Sequence, residues 1–387
     1  MKIAFFVHGY LPWDVYGVPR YIEALAHQMA KKGHKIVILC VGRQGLRKVE
    51  EISNNLKIYR SNYINPPRFL VFVSGLWSLL LYTLWCIIKG PEIIRKEEID
   101  IIHGHTFEWG GIQALIVSIM TQRPCIITIH GVGLARNRIE EKAQKALLRF
   151  CDLIICQRKT VLEKMISWGY KQDKVRMLEG GAIDTKKYKP RTTKYINHHL
   201  KITFVGRLDD FRGPELLLDA IPIVIRSYSD TIFQFVGDGP KKIYLIKKAK
   251  KMNIEKYVRF LGTRNDVNNI LENSDIYVAV SPYENLSSLA LFEAMSTGLA
   301  IVATDVGETK NLVQKKETLL LAKPTPNSIA EQLLRLLYDQ KLRLTLGKNA
   351  RELIIEEYSL DKLVASHEKV YMNVLQSRYL SPMRERN

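Results

Sequence analysis

Two carboxylates and two guanidinium groups in this chain are spaced so that they could act on one substrate carrying both hydroxyls and phosphate. Glu284 and Glu293 lie in Ser281–Thr304, SPYENLSSLALFEAMSTGLAIVAT, which reads as a loop, a helix and a strand. Pro282-Tyr283-Glu284-Asn285 carries turn chemistry, and Ser287 or Ser288 can cap a helix whose Leu289, Leu291, Phe292 and Met295 face a core. Gly298 stops that helix, and Ala300–Ala303 is the short continuous apolar run of a parallel strand. A helix start at the end of a parallel strand offers free N–H groups and a dipole to phosphate. A carboxylate beside it repels phosphate, so its natural partners are the hydroxyls of a sugar or ribose. The other reading of the stretch is a helix with two solvated glutamates.

The guanidinium groups come earlier. Strand-like Lys201–Val205 runs into Gly206-Arg207-Leu208-Asp209-Asp210-Phe211-Arg212-Gly213-Pro214 and then a helix to Arg226, with Pro214 suited to its first turn. A glycine loop with two arginines can neutralise a diphosphate, and arginine does so with bidentate geometry. Thr231–Val236 then ends in Gly237-Asp238-Gly239-Pro240, and Val258–Leu261 leads through Gly262 and Arg264 to Asp266, which can cap the next helix.

The elements that position these groups alternate strand and helix along the whole chain, which indicates parallel α/β units. Ile3–Val7 is a strand, a loop with Gly17 precedes a helical pattern from Arg20 to Lys32, and Lys35–Val41 is the next strand; the loop has no GxGxxG, so a dinucleotide fingerprint is absent. Ile99–His103 and Cys125–His130 are apolar strands ending in histidine, and carboxyl ends of parallel strands face the ligand crevice. Lys186–His199 is polar and basic, as in a linker.

Phe69–Ile88 runs for twenty residues without a charge, between Arg68 and Lys89. That length could span a bilayer, yet its strand-like flanks belong to one sheet, which excludes a single crossing. Two readings are left: a helix embedded at a membrane interface, which is preferred, and a domain helix buried on all sides. Arg43, Arg47, Lys48, Arg60, Arg68 and Lys89 would favour anionic lipid.

The 387 residues suffice for two domains with full cores, and a composition 47% hydrophobic and 25% charged is globular. The 58 Lys+Arg against 39 Asp+Glu give a formal charge of +19, which suggests an anionic partner. The lysines are scattered rather than gathered with aromatics in a stripe, which argues against nucleic acid. Five cysteines show no metal spacing and read as buried free thiols of a reducing cytosol.

The stretch from Ser281, with Glu293-Ala294-Met295 and Gly298, resembles the signature of family 4 of the retaining GT-B glycosyltransferases, which carry two glutamates separated by seven residues. Here eight residues separate Glu284 and Glu293, so either the loop holds one more residue or Asn285 fills the first slot. Thr128-Ile129-His130-Gly131, Cys151–Tyr188 and the Gly-Arg-Leu loop resemble the family too, with Arg212 where the family has lysine. The resemblance implies two doubly wound Rossmann-like domains facing across a cleft. It implies an acceptor-binding domain over 1–190, a nucleotide-sugar domain over 200–355 and a terminal helix at 356–387 that packs back on the first.

It further implies transfer of a sugar from a nucleotide diphosphate sugar, a UDP-sugar by family frequency, with retention and without metal or other cofactor. His130, Arg207, Arg212 and Glu284 would be catalytic, and Gly17, Gly237, Arg264, Asn285, Ser288, Leu289 and Glu293 would join Arg207, Arg212 and Glu284 in binding the donor. A lipid-linked glycan or glycolipid acceptor and a peripheral or monotopic place at the cytoplasmic membrane face are expected from 69–88. A catalytically weak partner subunit of a membrane glycosyltransferase complex is the alternative.

Overall fold

Continuous apolar runs become buried parallel strands in both halves of the chain. The computed structural model describes residues 1–387 except 11, 13–17, 44, 63–73, 131–136, 179–180, 192–198, 286–288, 308 and 385–387. It divides into two units, Met1–Ala182 with Leu360–Asn387, and Ile183–Ser359.

The first unit holds strands β1 (Lys2–Phe6), β2 (Lys35–Cys40), β3 (Val49–Ser53), β4 (Leu56–Arg60), β5 (Ile101–His105), β6 (Cys125–Ile129), β7 (Leu153–Cys156) and β8 (Val175–Met177). They form one sheet in the order β3-β4-β2-β1-β5-β6-β7-β8, parallel except for the β3–β4 pair. Its helices are α1 (Val18–Lys31), α2 (Ser74–Lys96), α3 (Ile112–Thr121), α4 (Arg138–Leu147) and α5 (Lys159–Ser167). One apolar core lies on each face of the sheet, one built on α1, the other on α2 and α3. In α1 the buried Tyr21, Ile22, Leu25, Ala26, Met29 and Ala30 keep helical spacing, which is why this segment is a helix laid on a sheet.

The second unit holds β9 (Leu200–Val205), β10 (Thr231–Val236), β11 (Val258–Gly262), β12 (Ile276–Ala279), β13 (Ala300–Thr304) and β14 (Leu320–Ala322), all parallel in the order β11-β10-β9-β12-β13-β14. Its helices are α6 (Pro214–Ser227), α7 (Lys242–Lys251), α8 (Val267–Glu272), α9 (Leu289–Ser296), α10 (Lys310–Lys315), α11 (Pro326–Tyr338) and α12 (Gln340–Leu353). The last helix, α13 (Leu360–Arg384), belongs to the first unit and packs on α1. In each sheet the strand order reverses once, between β1 and β5 and between β9 and β12, and ligands bind at such switch points in doubly wound sheets.

Three sequence expectations change. β5 runs on to His105, so His103 lies inside the sheet rather than at its end. The expected linker Lys186–His199 is divided: Asp184 Oδ1 accepts the N–H groups of Lys186 and Lys187, and Arg191 donates to the carbonyls of Glu272 and Ser274, so 184–191 packs on the second unit. The apolar segment 69–88 lies partly outside the described residues; from Ser74 it is helical, running through Pro91 to Lys96. That helix is neither buried on all sides nor free. Tyr82 and Cys86 are fully buried, and the Tyr82 hydroxyl donates to Leu39 O at 2.7 Å. Leu76, Leu80, Leu84 and Ile88 repeat every four residues on the outside, 67%, 52%, 47% and 70% exposed.

This one-sidedness has a measurable signature. Tyr82→Ala is expected to cost about 3–5 kcal/mol of unfolding free energy, as large aromatic truncations in cores do. Leu80→Ser should stay within about 0.5 kcal/mol, as exposed substitutions do. Urea unfolding of both variants checks this, and equal losses would mean that both faces are packed.

Candidate functional site

At the switch point of the second sheet the loop after β9 meets the loop after β12. The first, Gly206–Gly213, is held from the inside by buried Leu208, whose N–H donates to Asp238 O. It is closed by Asp209, whose Oδ1 accepts the Arg212 N–H and whose Oδ2 lies 2.9 Å from Arg207 Nε. The Arg207 side chain is otherwise in solvent, 70% exposed, while the Arg212 guanidinium sits 5.3 Å over the Phe211 ring. Phe211 stacks in turn on Tyr283 of the second loop, and Ser281 Oγ donates to Phe211 O at 2.7 Å.

Glycine makes this abutment possible. Gly237, at φ +136°, lies so close to Gly206 that a Cβ would fall 2.0 Å from its carbonyl oxygen. Gly213, at φ +64°, would place a Cβ 2.4 Å from Val280 O. The role of Gly237 is thus to let the loops after β9 and β10 touch through backbone alone.

The two candidates for the first carboxylate slot separate cleanly. Asn285 is buried at 2% exposure, and its Nδ2 donates to Thr304 O, Thr304 Oγ1 and Thr309 Oγ1 at 2.9–3.2 Å. Its amide is spent on anchoring the loop to β13, which corrects the expectation that it contacts donor. Glu284 is half-buried, with its carboxylate against the backbone of Gly307. Glu293 is half-buried on α9, and Leu289 opens that helix, packed against the core beneath. Ser288 and Gly17 lie outside the described residues.

The Nε and one terminal nitrogen of Arg264 fork onto both oxygens of Asp266 at 2.8 Å, an exposed pair. The same fork takes Asp266 away from capping: it stands at the N-cap of α8 with no side-chain cap bond. Lys241 and Lys248 hold Glu215 in the first turn of α6 and pull its carboxyl down to about 2, Lys248 contributing most and Tyr244 next.

In the first unit His130 follows β6 and is buried. Its Nδ1 lies 2.6 Å from Gln157 Oε1 and its Nε2 3.1 Å from His105 Nδ1. Burial drives the ring down to about 4, so it is neutral at pH 7. Since Gln157 Oε1 can only accept, the proton sits on His130 Nδ1, and His105 must donate to His130 Nε2. Both ring nitrogens are therefore engaged, and the imidazole reaches a sugar only by giving up one of these bonds.

His103 joins the same group, bonded at 2.7 Å to Tyr371 of α13 and to Thr128, and the ring of His367 of α13 lies tilted 5.9 Å from it. Sequence reading missed Gln157 and Tyr371, which reach this group from the end of β7 and from α13. Strain marks the same place: Thr106, just after β5, has φ +60°, unusual for a residue other than glycine. Among the described residues no group of three or more His, Cys, Asp or Glu side chains is arranged to hold a metal ion, and the five cysteines are buried thiols.

Comparison with known proteins follows this geometry. A family profile described as Glycosyltransferase Family 4 matches residues 15–186, and one described as Glycosyl transferases group 1 matches residues 189–353. The N-acetyl-alpha-D-glucosaminyl L-malate synthase of Bacillus anthracis is 24% identical over 91% of this chain and 92% of its own length. The UDP-Gal:alpha-D-GlcNAc-diphosphoundecaprenol alpha-1,3-galactosyltransferase of Escherichia coli is 26% identical over 76% of this chain and 81% of its own. The crystal structure of Anabaena HepE in complex with UDP superposes with a TM-score of 0.72 at 17% identity, covering 96% of this chain and 100% of that one.

The buried histidines set a pH dependence. His130 and His367 are each lowered from 6.5 to about 4, chiefly by burial, and His103 and His105 lie well below 6.5 for the same reason. The unfolded chain therefore binds more protons than the folded one below pH 6.5, and stability present above that value is lost as pH falls toward about 4. His130 and His367 are each worth on the order of 3 kcal/mol across that window. Urea unfolding at neutral and acid pH should show the loss, and His367→Leu should flatten it; an unchanged slope would mean that the histidine ionises in place.

Proposed function

Because this chain belongs to glycosyltransferase family 4 and has the GT-B fold, we propose that it transfers a hexosyl group from a UDP-sugar to a hydroxyl of a lipid-linked acceptor at a membrane surface. The observation that carries this reading is the abutment of the Gly206–Gly213 loop and the Ser281–Asn285 turn at the switch point of the second sheet. That arrangement sets an exposed arginine and a ring-backed one on one loop and a half-buried glutamate on the other.

In the proposed reaction Arg207 and Arg212 take the charge that grows on the diphosphate as its bond to the sugar C1 breaks, in the manner of preorganised oxyanion donors. Two such cations stand in for a divalent metal, so the reaction is metal-independent. Gly237 lets the chain approach the donor, Glu293 holds the ribose hydroxyls, and Glu284 holds the transferred sugar. Attack by the acceptor oxygen on the face the diphosphate leaves forms the new C1–O bond with retention, and the acceptor proton passes to the departing phosphate. His130 acts here by lining and by shape, as a neutral ring.

The acceptor and the place of action are supported by α2. Its outer stripe is leucine and isoleucine, and α3, which packs on α2, also exposes Ile119 and Met120. Arg43, Arg47, Lys48, Arg95, Lys96 and Arg123 are exposed in the same unit, and each basic group near an anionic leaflet contributes about 1 kcal/mol. Arg60 drops out of the expected lipid-facing set, being buried and paired with Glu50, and Lys89 is paired with Glu92. The diphosphoundecaprenol in the name of the Escherichia coli relative is an acceptor of this chemical kind.

Calorimetry of nucleoside diphosphates and their sugars in EDTA tests the donor site. Uridine compounds should bind, and Arg207→Ala should weaken them about tenfold or more, as loss of a charge-assisted hydrogen bond of ~1.5–3 kcal/mol does. Binding by none of them would overturn the enzyme reading. Glu293→Ala separates an enzyme from a partner subunit: turnover collapses in the first case, and only stability changes in the second. For the membrane, Leu80→Ser with Leu84→Ser should abolish sedimentation with anionic vesicles while leaving the circular dichroism spectrum unchanged; undiminished sedimentation would remove α2 from the docking surface.

A further inference from the structure

We propose that the hollow walled by Gly42, Arg43, Lys48, Arg60 and Ser61 seats a phosphoryl group carried by the amphiphilic acceptor. The inference rests on the reading of that acceptor as lipid-linked and assigns the site that would recognise its polar end.

The hollow opens at the carboxyl ends of β2 and β4. Its floor is rigid. Arg60 is 4% exposed, and its Nη1 lies 2.6 Å from Glu50 Oε2 and 3.2 Å from Arg47 O. Glu50 neutralises that guanidinium, so the floor is held in place and carries no net charge. Ser61 ties the two walls together: its N–H donates to Cys40 O, and its Oγ accepts the Gly42 N–H at 3.1 Å. The rim supplies the charge. Arg43 and Lys48 are both exposed, and neither has an ion-pair partner among the described residues. Two uncompensated cations over a neutral floor match the charge of a phosphate monoester or a diphosphate.

What gives the ligand an apolar half is the connection to α2. Val41, next to Gly42, donates its N–H to His8 O at 3.0 Å, and His8 Nε2 lies 3.3 Å from Ser78 Oγ on α2. The exposed stripe begins at Leu76, within one turn of Ser78, and runs to Ile88, about 18 Å along the helix axis. That is on the order of one leaflet's share of a bilayer's hydrocarbon core. A phosphoryl head and an alkyl chain are thus served side by side within one unit. The second basic hollow, by Arg149, Lys171 and Lys174, includes the acid Asp173 and lacks this pairing.

The test uses the full chain. Binding is measured to phosphatidylcholine vesicles with and without phosphatidic acid, and glycerol phosphate and inorganic phosphate are titrated as soluble probes. Arg43→Ala with Lys48→Ala should lower affinity for the phosphatidic acid vesicles roughly tenfold, and glycerol phosphate should displace the wild-type protein from them. Lys142→Ala with Lys171→Ala, equally exposed cations elsewhere on the unit, should bind as wild type. Equal losses in the two double variants, or a loss with no displacement by glycerol phosphate, would overturn the hollow in favour of diffuse surface charge. Binding of inorganic phosphate alone would overturn it in favour of a free-anion site. UDP binding by the same preparations keeps the outcomes apart: if it persists while the hollow fails, the transferase reading stands; if wild type binds no nucleotide, the reading beneath the proposal has gone.

Discussion

The second unit depends on a backbone contact that no side chain could survive. Gly237 lies against the Gly206 carbonyl, closer than any Cβ would tolerate. With the loops after β9 and β10 in contact, Leu208 is pinned inward, and the polar residues around it have one direction left in which to point. Gly213 repeats the device against Val280 and fixes where the turn at Ser281 begins. The placement of the arginine loop against the turn follows from steric permission at two glycines, each of which admits a backbone oxygen where a Cβ would stand.

The first unit is organised by the opposite physics, a polar cluster kept dry. Four histidines, two of them on β5, one just after β6 and one on the last helix, sit in a space whose desolvation holds them neutral. Their hydrogen bonds join residues far apart in sequence, His103 with Tyr371 above all, so α13 is latched to the sheet through polar groups as well as through Val364, Val370 and Val374. Such networks are favourable only when satisfied, and they specify one arrangement strongly.

Much of this was legible in the sequence because it is local. Apolar runs such as Ala300–Thr304, the glycine stop at Gly298 and the proline opening of α6 are decided within a few residues, and they stand where the spacing puts them. What was not legible involves a choice among partners. Asp266 can cap a helix or fork an arginine, and only the fold shows that Arg264 wins it. Asn285 and Glu284 are adjacent in a turn, and one is turned inward because Thr304 and Thr309 wait there. Arg60 looked like a surface cation until β3 folded back antiparallel and brought Glu50 to it. The apolar helix was ambiguous in composition, since a stripe and a fully buried helix differ only in what lies on the outside.

Arg207 and Asp209 have a consequence for the end of a catalytic cycle. The guanidinium that would grip a diphosphate already has a carboxylate two residues away, 2.9 Å from its Nε. An exposed pair of this kind is worth about 0–1 kcal/mol, too little to bar an incoming donor. It is enough to offer the arginine an alternative home each time a spent nucleotide begins to leave. In the proposed reaction Asp209 would then be a tethered competitor present at fixed local concentration, one that would ease product release and return the loop to its resting shape for the next turnover.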